Sequence, residues 1–284
     1  MKKMKKNLLT LIGLFITSLL FSQGENLSLQ WRFGTNAGVD FTTGIPVAVT
    51  NSPLVTGEGC ATVSDLDGNL LFFTDGQKVY NKNNEIMPNG SDLMGNSSAS
   101  QSSIIIPYPK NDTLFYIFTI DAIENHLENG LRYSIVDMNL DGGLGDITTT
   151  KNILLEAPVS EKITATLHNN NANVWLVAHK WDSDEFITYE ITSSGINTTP
   201  IVSAIGSVHE GGSSSSSEVD GWTNAIGIMK VNKQGNKIAL AIEQGYEISG
   251  DLITHVINTN NYDAIILLQP MFLIDERYED DENI

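Results

Sequence analysis

Short apolar runs separated by clusters of Gly, Asn, Asp and Ser recur along most of this chain. The clearest example is Glu58 to Asn81, EGCATVSDLDGNLLFFTDGQKVYN. A first run ends at Val63, Asp65-Leu66-Asp67-Gly68-Asn69 supplies turn chemistry, and Leu70 to Thr74 is a β-rich run broken by Asp75-Gly76. The same pattern predicts strands over 103–107, 113–120, 131–136, 151–155, 162–168, 174–181, 186–192, 226–231, 237–242 and 252–257. Ala264 to Leu268 is a further buried-strand candidate. Polar punctuation at Gly142-Gly143, Asn169-Asn170-Asn171, Ser193-Ser194-Gly195 and Gln234-Gly235-Asn236 separates them. No stretch downstream of residue 23 carries a helical period, so the pattern predicts an all-β protein: a sandwich, a barrel or a propeller.

Internal repetition selects among these. GNLLFFTDGQKVYN, DTLFYIFTIDAI, ANVWLVAHKWDSDEFITYEI and GNKIALAIEQGY each combine a polar turn, an apolar strand and a second polar break. They begin near Gly68, Asp112, Ala172 and Gly235, at intervals of 44, 60 and 63 residues. Propeller blades repeat every ~40–50 residues and tolerate loop insertions, because each blade buries its faces against its neighbours. The expectation is a β-propeller-like domain over 24–275, with strands for about four to five blades and hence an incomplete ring.

The N-terminus reads as an export signal. Lys2, Lys3, Lys5 and Lys6 precede an apolar run from Leu8 to Phe21, and Ser22-Gln23 offers a small residue for cleavage. The apolar run is shorter than the ~20 residues that span a bilayer. The expected product is therefore secreted, extracellular or at the cell surface, with no membrane insertion after cleavage at residue 23. A single cysteine, Cys60, excludes an internal disulfide and reads as a small core residue in its apolar β context. The formal charge is −18 for the whole chain. Without the leader, twelve basic residues face thirty-four acidic ones, a balance of −22. Such a field repels phosphate backbones and anionic headgroups, which argues against nucleic-acid and membrane-surface partners. Residues 276–284 read as a solvated acidic tail.

Candidate chemistry is sparse. Asp137-Met138-Asn139-Leu140-Asp141-Gly142 matches the first half of a calcium loop, so Asp137, Asn139 and Asp141 are the candidate metal ligands, and Ca²⁺ is the only cofactor considered. The twelfth loop position is Thr148 rather than Glu, and a polar β-turn is the competing reading. Asp65-Leu66-Asp67-Gly68 is a shorter version of the same turn chemistry. The five histidines, at 126, 168, 179, 209 and 255, show no metal-binding spacing. A turn centred on Asn171 would set His168 opposite Val174 and His179 opposite Ile163. Trp175, Trp181, Trp222 and Tyr189 are candidates for a sugar-stacking platform, with His179 beside them, and a core stripe is the alternative. The serine run within Gly211 to Asp220 is a flexible low-complexity loop without the surroundings of a nucleophile.

Several stretches carry a family resemblance: WRFGTNAGVDFTTGIPVAV, EGCATVSDLDGNLLFFTDG, IMPNGSDLMGNSSASQSSIIIPYP, LRYSIVDMNLDGGLGDITTTKN, EKITATLHNNNANVWLVAHKW and KVNKQGNKIALAIE. Running in order from Trp31 to about Glu243, the chain resembles the N-terminal propeller-like region of large secreted, gliding-motility-associated proteins of Bacteroidota that end in a type IX secretion sorting domain. The resemblance implies export, surface exposure and a binding or adhesion role, with no catalytic residues to carry over. It fades after about Ala241, and no sorting domain follows, so an open propeller with unpaired sheet edges and self-association through them is expected. The functional expectation is a non-catalytic module that binds an extracellular polysaccharide or protein. The alternative is a propeller glycoside hydrolase or lyase in which Asp75, Asp121, Glu124 and Asp182 meet at the central face.

Overall fold

The computed structural model describes residues 26–213, 220–232, 235–242, 253–258 and 265–270. The proposed leader, the acidic tail and most of the serine-rich loop lie outside these residues. The described chain is all-β, built from antiparallel meanders in sequence order. The first comprises β1 (Gln30–Phe33), β2 (Ala37–Asp40) and β3 (Val47–Val49). The second comprises β4 (Ala61–Ser64), β5 (Leu70–Thr74) and β6 (Val79–Asn81). The third runs β7 (Ser103–Pro107), β8 (Leu114–Ile120), β9 (Leu131–Asp137), then β10 (Asp146–Ile147) and β11 (Ile153–Glu156), which both pair with β9.

The fourth meander repeats that plan. It runs β12 (Val159–Leu167), β13 (Val174–Lys180), β14 (Ser183–Thr192), then β15 (Gly195–Ile196) and β16 (Ile201–His209), which both pair with β14. In both sheets the fourth strand is thus a broken one. A small hairpin of β17 (Gly211–Ser213) and β18 (Asp220–Thr223) follows. The last meander is β19 (Gly227–Val231), β20 (Lys237–Ile242), β21 (Ile253–Asn258) and β22 (Ile265–Pro270).

Period-two alternation explains how these sheets stack, because successive side chains on one strand leave on opposite faces. On β5, Phe73 joins Leu54 and Tyr80 in one apolar layer while Phe72 joins Val63, Val79 and Met87 in another. On β8, Phe115 and Ile117 enter that second layer, and Tyr116, Phe118 and Ile120 enter a third, shared with Leu176, Ile187 and Tyr189. On β13 and β14, Val177 and Phe186 turn the other way, into a fourth layer with Met229, Ile238 and Leu240. The result is that the second to fifth sheets stack through three of these apolar layers, while the apolar group of Leu54, Phe73 and Tyr80 lies on the other face of the second sheet. First strands touch in order: β1 meets β4, β4 meets β7, β7 meets β12 and β12 meets β19.

Four repeat units read from the sequence all fall at one structural position. Residues 68, 112, 172 and 235 sit in the turns that join the first strand of a meander to its second. Each turn is held by an Asx side chain at its start. Asp65 Oδ1 accepts the N–H groups of Asp67 and Asn69, and Asn111 Oδ1 those of Thr113 and Leu114. Asn170 Oδ1 accepts from Ala172 and Asn173, and Asn232 Oδ1 from Asn236 and Lys237. The observed register around Asn170 differs from the expected one by a residue. Leu167, not His168, lies opposite Val174, and Ile163 lies opposite Ala178. The reason is the Asn170 side chain, which closes the turn one position earlier than a turn centred on Asn171 would.

Candidate functional site

At the opposite end of the sheets, a buried polar hub ties three meanders together. It is built on β12, whose register against β13 shifts between Val159 and Ile163 and so re-aims the intervening side chains. Glu161 and Lys162 are both fully buried there. Being neighbours on a strand, they leave on opposite faces. Glu161 reaches back: its Oε2 accepts the Ser100 N–H (2.8 Å) and hydroxyl (2.9 Å), and its Oε1 accepts the Ile123 N–H (2.9 Å). Burial pushes its carboxyl up, these donors pull it down, and the nearby Glu124 pushes it up further.

Lys162 reaches forward, donating to the carbonyl oxygens of Asn224 and of Ala225, the latter at 2.7 Å. Burial brings its ammonium down to about 7, against a smaller upward pull from Glu161. A neutral amine has two N–H bonds, which matches the two carbonyls. Gly227 makes room for this side chain: its φ is +141°, and a Cβ there would come within 2.8 Å of Lys162 Cε. Gln101 completes the hub as a side-chain splice between β12 and β19. Its Oε1 accepts from Ile163 N (3.2 Å) and Met229 N (2.7 Å), and its Nε2 donates to Met229 O (3.3 Å).

An open cleft of about 560 Å³ lies at the other end, among the Asx-held turns of the second, third and fourth meanders. Leu27, Leu71, Tyr108, Phe115, Met138 and Val174 give it an apolar lining, and Asp67, Lys110 and Asp112 bring charge to it. Leu66 and Leu167, which also line it, are 51% and 55% exposed. Tyr108 stacks on the buried Tyr116 with ring centroids 4.9 Å apart, which anchors that wall in the third apolar layer.

The residues singled out from sequence are distributed as follows. Trp175 and Trp181 do not share a platform: Trp175 packs on His168 near the cleft end of β13, while Trp181 follows the other end and packs against Ile123, Leu127 and Ala225. Six residues of strand separate them by about 20 Å. His179 has no exposed surface. Its Nδ1 lies 2.8 Å from Lys180 O, its ring meets Phe186 edge-on at 4.5 Å, and it stacks on the equally buried His209 at 3.6 Å. Tyr189 is a core residue of the third apolar layer, and the Trp222 side chain lies outside the described residues.

Asp137 and Asn139 are joined to each other, since Asp137 Oδ1 accepts the Asn139 N–H (2.9 Å) and Nδ2 (3.0 Å). Asn139 Nδ2 also donates to Thr113 Oγ1, and Asp141 opens the following tight turn. Among the described residues, no three His, Cys, Asp or Glu side chains are grouped to share a cation. Asp75 and Asp121 occupy equivalent turns between second and third strands. Asp75 Oδ1 accepts from Gln77 and Lys78, and Asp121 accepts from Ala122, Asn125 and Asn129. Glu124 accepts the Ser98 hydroxyl, and Asp182 donates its N–H to His209 O.

Glu161, Lys162 and Gln101 escaped the sequence reading. An adjacent acid and base within a strand looks like a solvated face, and Gln101 sits in the polar run NSSASQSS, which reads as loop. Comparison with protein-family models, with curated proteins and with solved structures finds no match to this chain.

Proposed function

We propose that this chain is an exported, non-catalytic binding module of propeller type, and that its cleft takes an apolar, basic-flanked segment of a protein partner. The observation that carries this reading is the cleft itself: an apolar lining between three Asx-held turns, where Asp65, Asp67 and Asp112 outnumber Lys110, on a chain of net charge −18. The propeller arrangement is supported by the ordered contacts of the first strands, a relation expected of inner strands around a common axis. Export and surface location rest on the leader and on the resemblance to secreted gliding-motility-associated proteins. The hydrolase reading is weaker, because Asp75 and Asp121 accept backbone N–H groups and Glu124 accepts the Ser98 hydroxyl. A polysaccharide partner would want an exposed aromatic platform, and Trp175 and Trp181 lie apart.

The test is to screen the exported chain against a displayed random-peptide library and a glycan array. Peptides with an apolar centre and basic flanks should be enriched. Leu66→Glu and Leu167→Glu should each weaken their binding at least about tenfold with an unchanged unfolding temperature. Selection of glycans alone, or peptide binding indifferent to both substitutions, would overturn the reading.

A further inference from the structure

Asp-Gly and Asn-Gly pairs are reactive points of a backbone, because the glycine nitrogen, unshielded by a Cβ, can attack the side-chain carbon of the residue before it. Five such pairs lie in turns of the described chain, at 67–68, 75–76, 89–90, 129–130 and 141–142. Four of them hold the glycine N–H in a hydrogen bond. Gly68 donates to Asp65 O (3.0 Å), Gly76 to Thr74 Oγ1 (2.9 Å), Gly90 to Met87 O (2.8 Å) and Gly130 to Leu127 O (3.1 Å). Three of these glycines are also walled in, since a Cβ would run into Ser102 O at Gly76, Val79 O at Gly90 and Glu156 O at Gly130. Gly142 differs on both counts. Its N–H has no acceptor among the described residues, and nothing lies within 4 Å of the place a Cβ would take. Asp141 is exposed, and its φ of +48° is a left-handed conformation disfavoured for residues other than glycine.

We propose that Asp141-Gly142 is a site of spontaneous isoaspartate formation, and that the native fold shields the other four turn pairs from the same reaction. The Asp141 carboxylate takes up a proton, and Gly142 N bonds to Asp141 Cγ. The N–H hydrogen and the carboxyl OH leave as one water, which closes a succinimide ring. Water then re-enters at either ring carbonyl. Entry at Cγ breaks the new N–Cγ bond and restores the aspartate. Entry at the main-chain carbon breaks the original peptide bond to Gly142 and leaves the chain running through Cβ and Cγ. Either route returns the proton, and no oxidant or cofactor enters. At 68, 76, 90 and 130 the glycine must first give up its hydrogen bond, so reaction there waits on local opening of the turn. At 142 nothing imposes that wait. The product adds one backbone carbon to the turn between β9 and β10. In that turn Leu144 donates to Asp141 O (3.2 Å) and Gly145 to Leu140 O (3.1 Å). Gly145 lies against Met138 of the cleft wall, so the altered turn abuts the cleft. The reaction itself is independent of what the cleft binds.

The experiment is to hold the protein, native and unfolded in guanidinium, at neutral pH and physiological temperature. Each pair is then read over time by proteolysis and electron-transfer fragmentation, which separates isoaspartate from aspartate at equal mass. In the native protein isoaspartate should accumulate at 141 several-fold faster than at 67 or 75, while Asn89 and Asn129 keep their amides. In guanidinium the ranking should invert, with the two Asn-Gly pairs reacting first, because an amide closes the ring faster than an ionised carboxylate and the fold no longer shields it. Asp141→Glu, whose longer side chain closes a larger ring far more slowly, should lose the signal and keep the native unfolding temperature. A native rate at 141 no greater than at 67 and 75, native Asn89 or Asn129 converting ahead of Asp141, or a signal that survives Asp141→Glu would each overturn the proposal.

Discussion

Lys162 and Glu161 are adjacent in the chain and serve opposite neighbours, one carbonyl-bound ahead, the other N–H-bound behind. Their burial makes stability sensitive to pH in a direction that can be worked out. The Lys162 ammonium is lowered from 10.5 to about 7. Between these values the unfolded chain holds a proton that the native chain lacks, so stability rises with pH across that window. The effect is on the order of a few kcal/mol. Lys162→Met keeps the stem and removes the titration, so urea unfolding between pH 7 and 10 should show a flatter rise than in the native chain. An unaltered slope would mean that Lys162 keeps its proton when folded. Glu161 acts on the acidic side: its raised carboxyl contributes stability at low pH that is lost as pH rises through its folded value.

At the scale of elements, β7, β12 and β19 are tied as much by inserted side chains as by apolar contact. Gln101 satisfies backbone groups on two strands that do not otherwise exchange ladder hydrogen bonds. Gln101→Ala should strand the Ile163 and Met229 N–H groups and cost about 1–3 kcal/mol in chemical denaturation. A loss within error of zero would show that these groups find other partners. Strand positions in the second and third meanders were legible from alternation and turn chemistry, because each such strand lies between two apolar layers. Leu70 to Thr74 and Ser103 to Pro107 were read with their observed bounds. β16 escaped because, as an outer strand, it shows almost no buried positions, and β1 to β3 are too short to stand out. The off-by-one register at Asn170 arose because a side-chain acceptor, rather than the centre of a polar run, decides where a turn closes.

Across the whole molecule, net charge and stacking act against each other. Acidic residues outnumber basic ones thirty-four to sixteen, so compaction works against self-repulsion. Raising ionic strength from about 0.01 M to about 1 M shortens the Debye length from ~30 Å to ~3 Å and should raise the unfolding temperature of the protein. A flat response would mean that like charges are already spaced beyond mutual reach. The sequence by itself determined the all-β class, the recurring first turns and most of the strands, because period-two alternation and Asx turn chemistry act over a few neighbouring residues. Only the tertiary structure decided what lies between those strands: that Phe72 and Phe73 feed different layers, that Glu161 and Lys162 close a hub, and that Leu66, Tyr108 and Val174 share a cleft. Those contacts join residues tens of positions apart, and they depend on how the sheets stack, which no local pattern encodes.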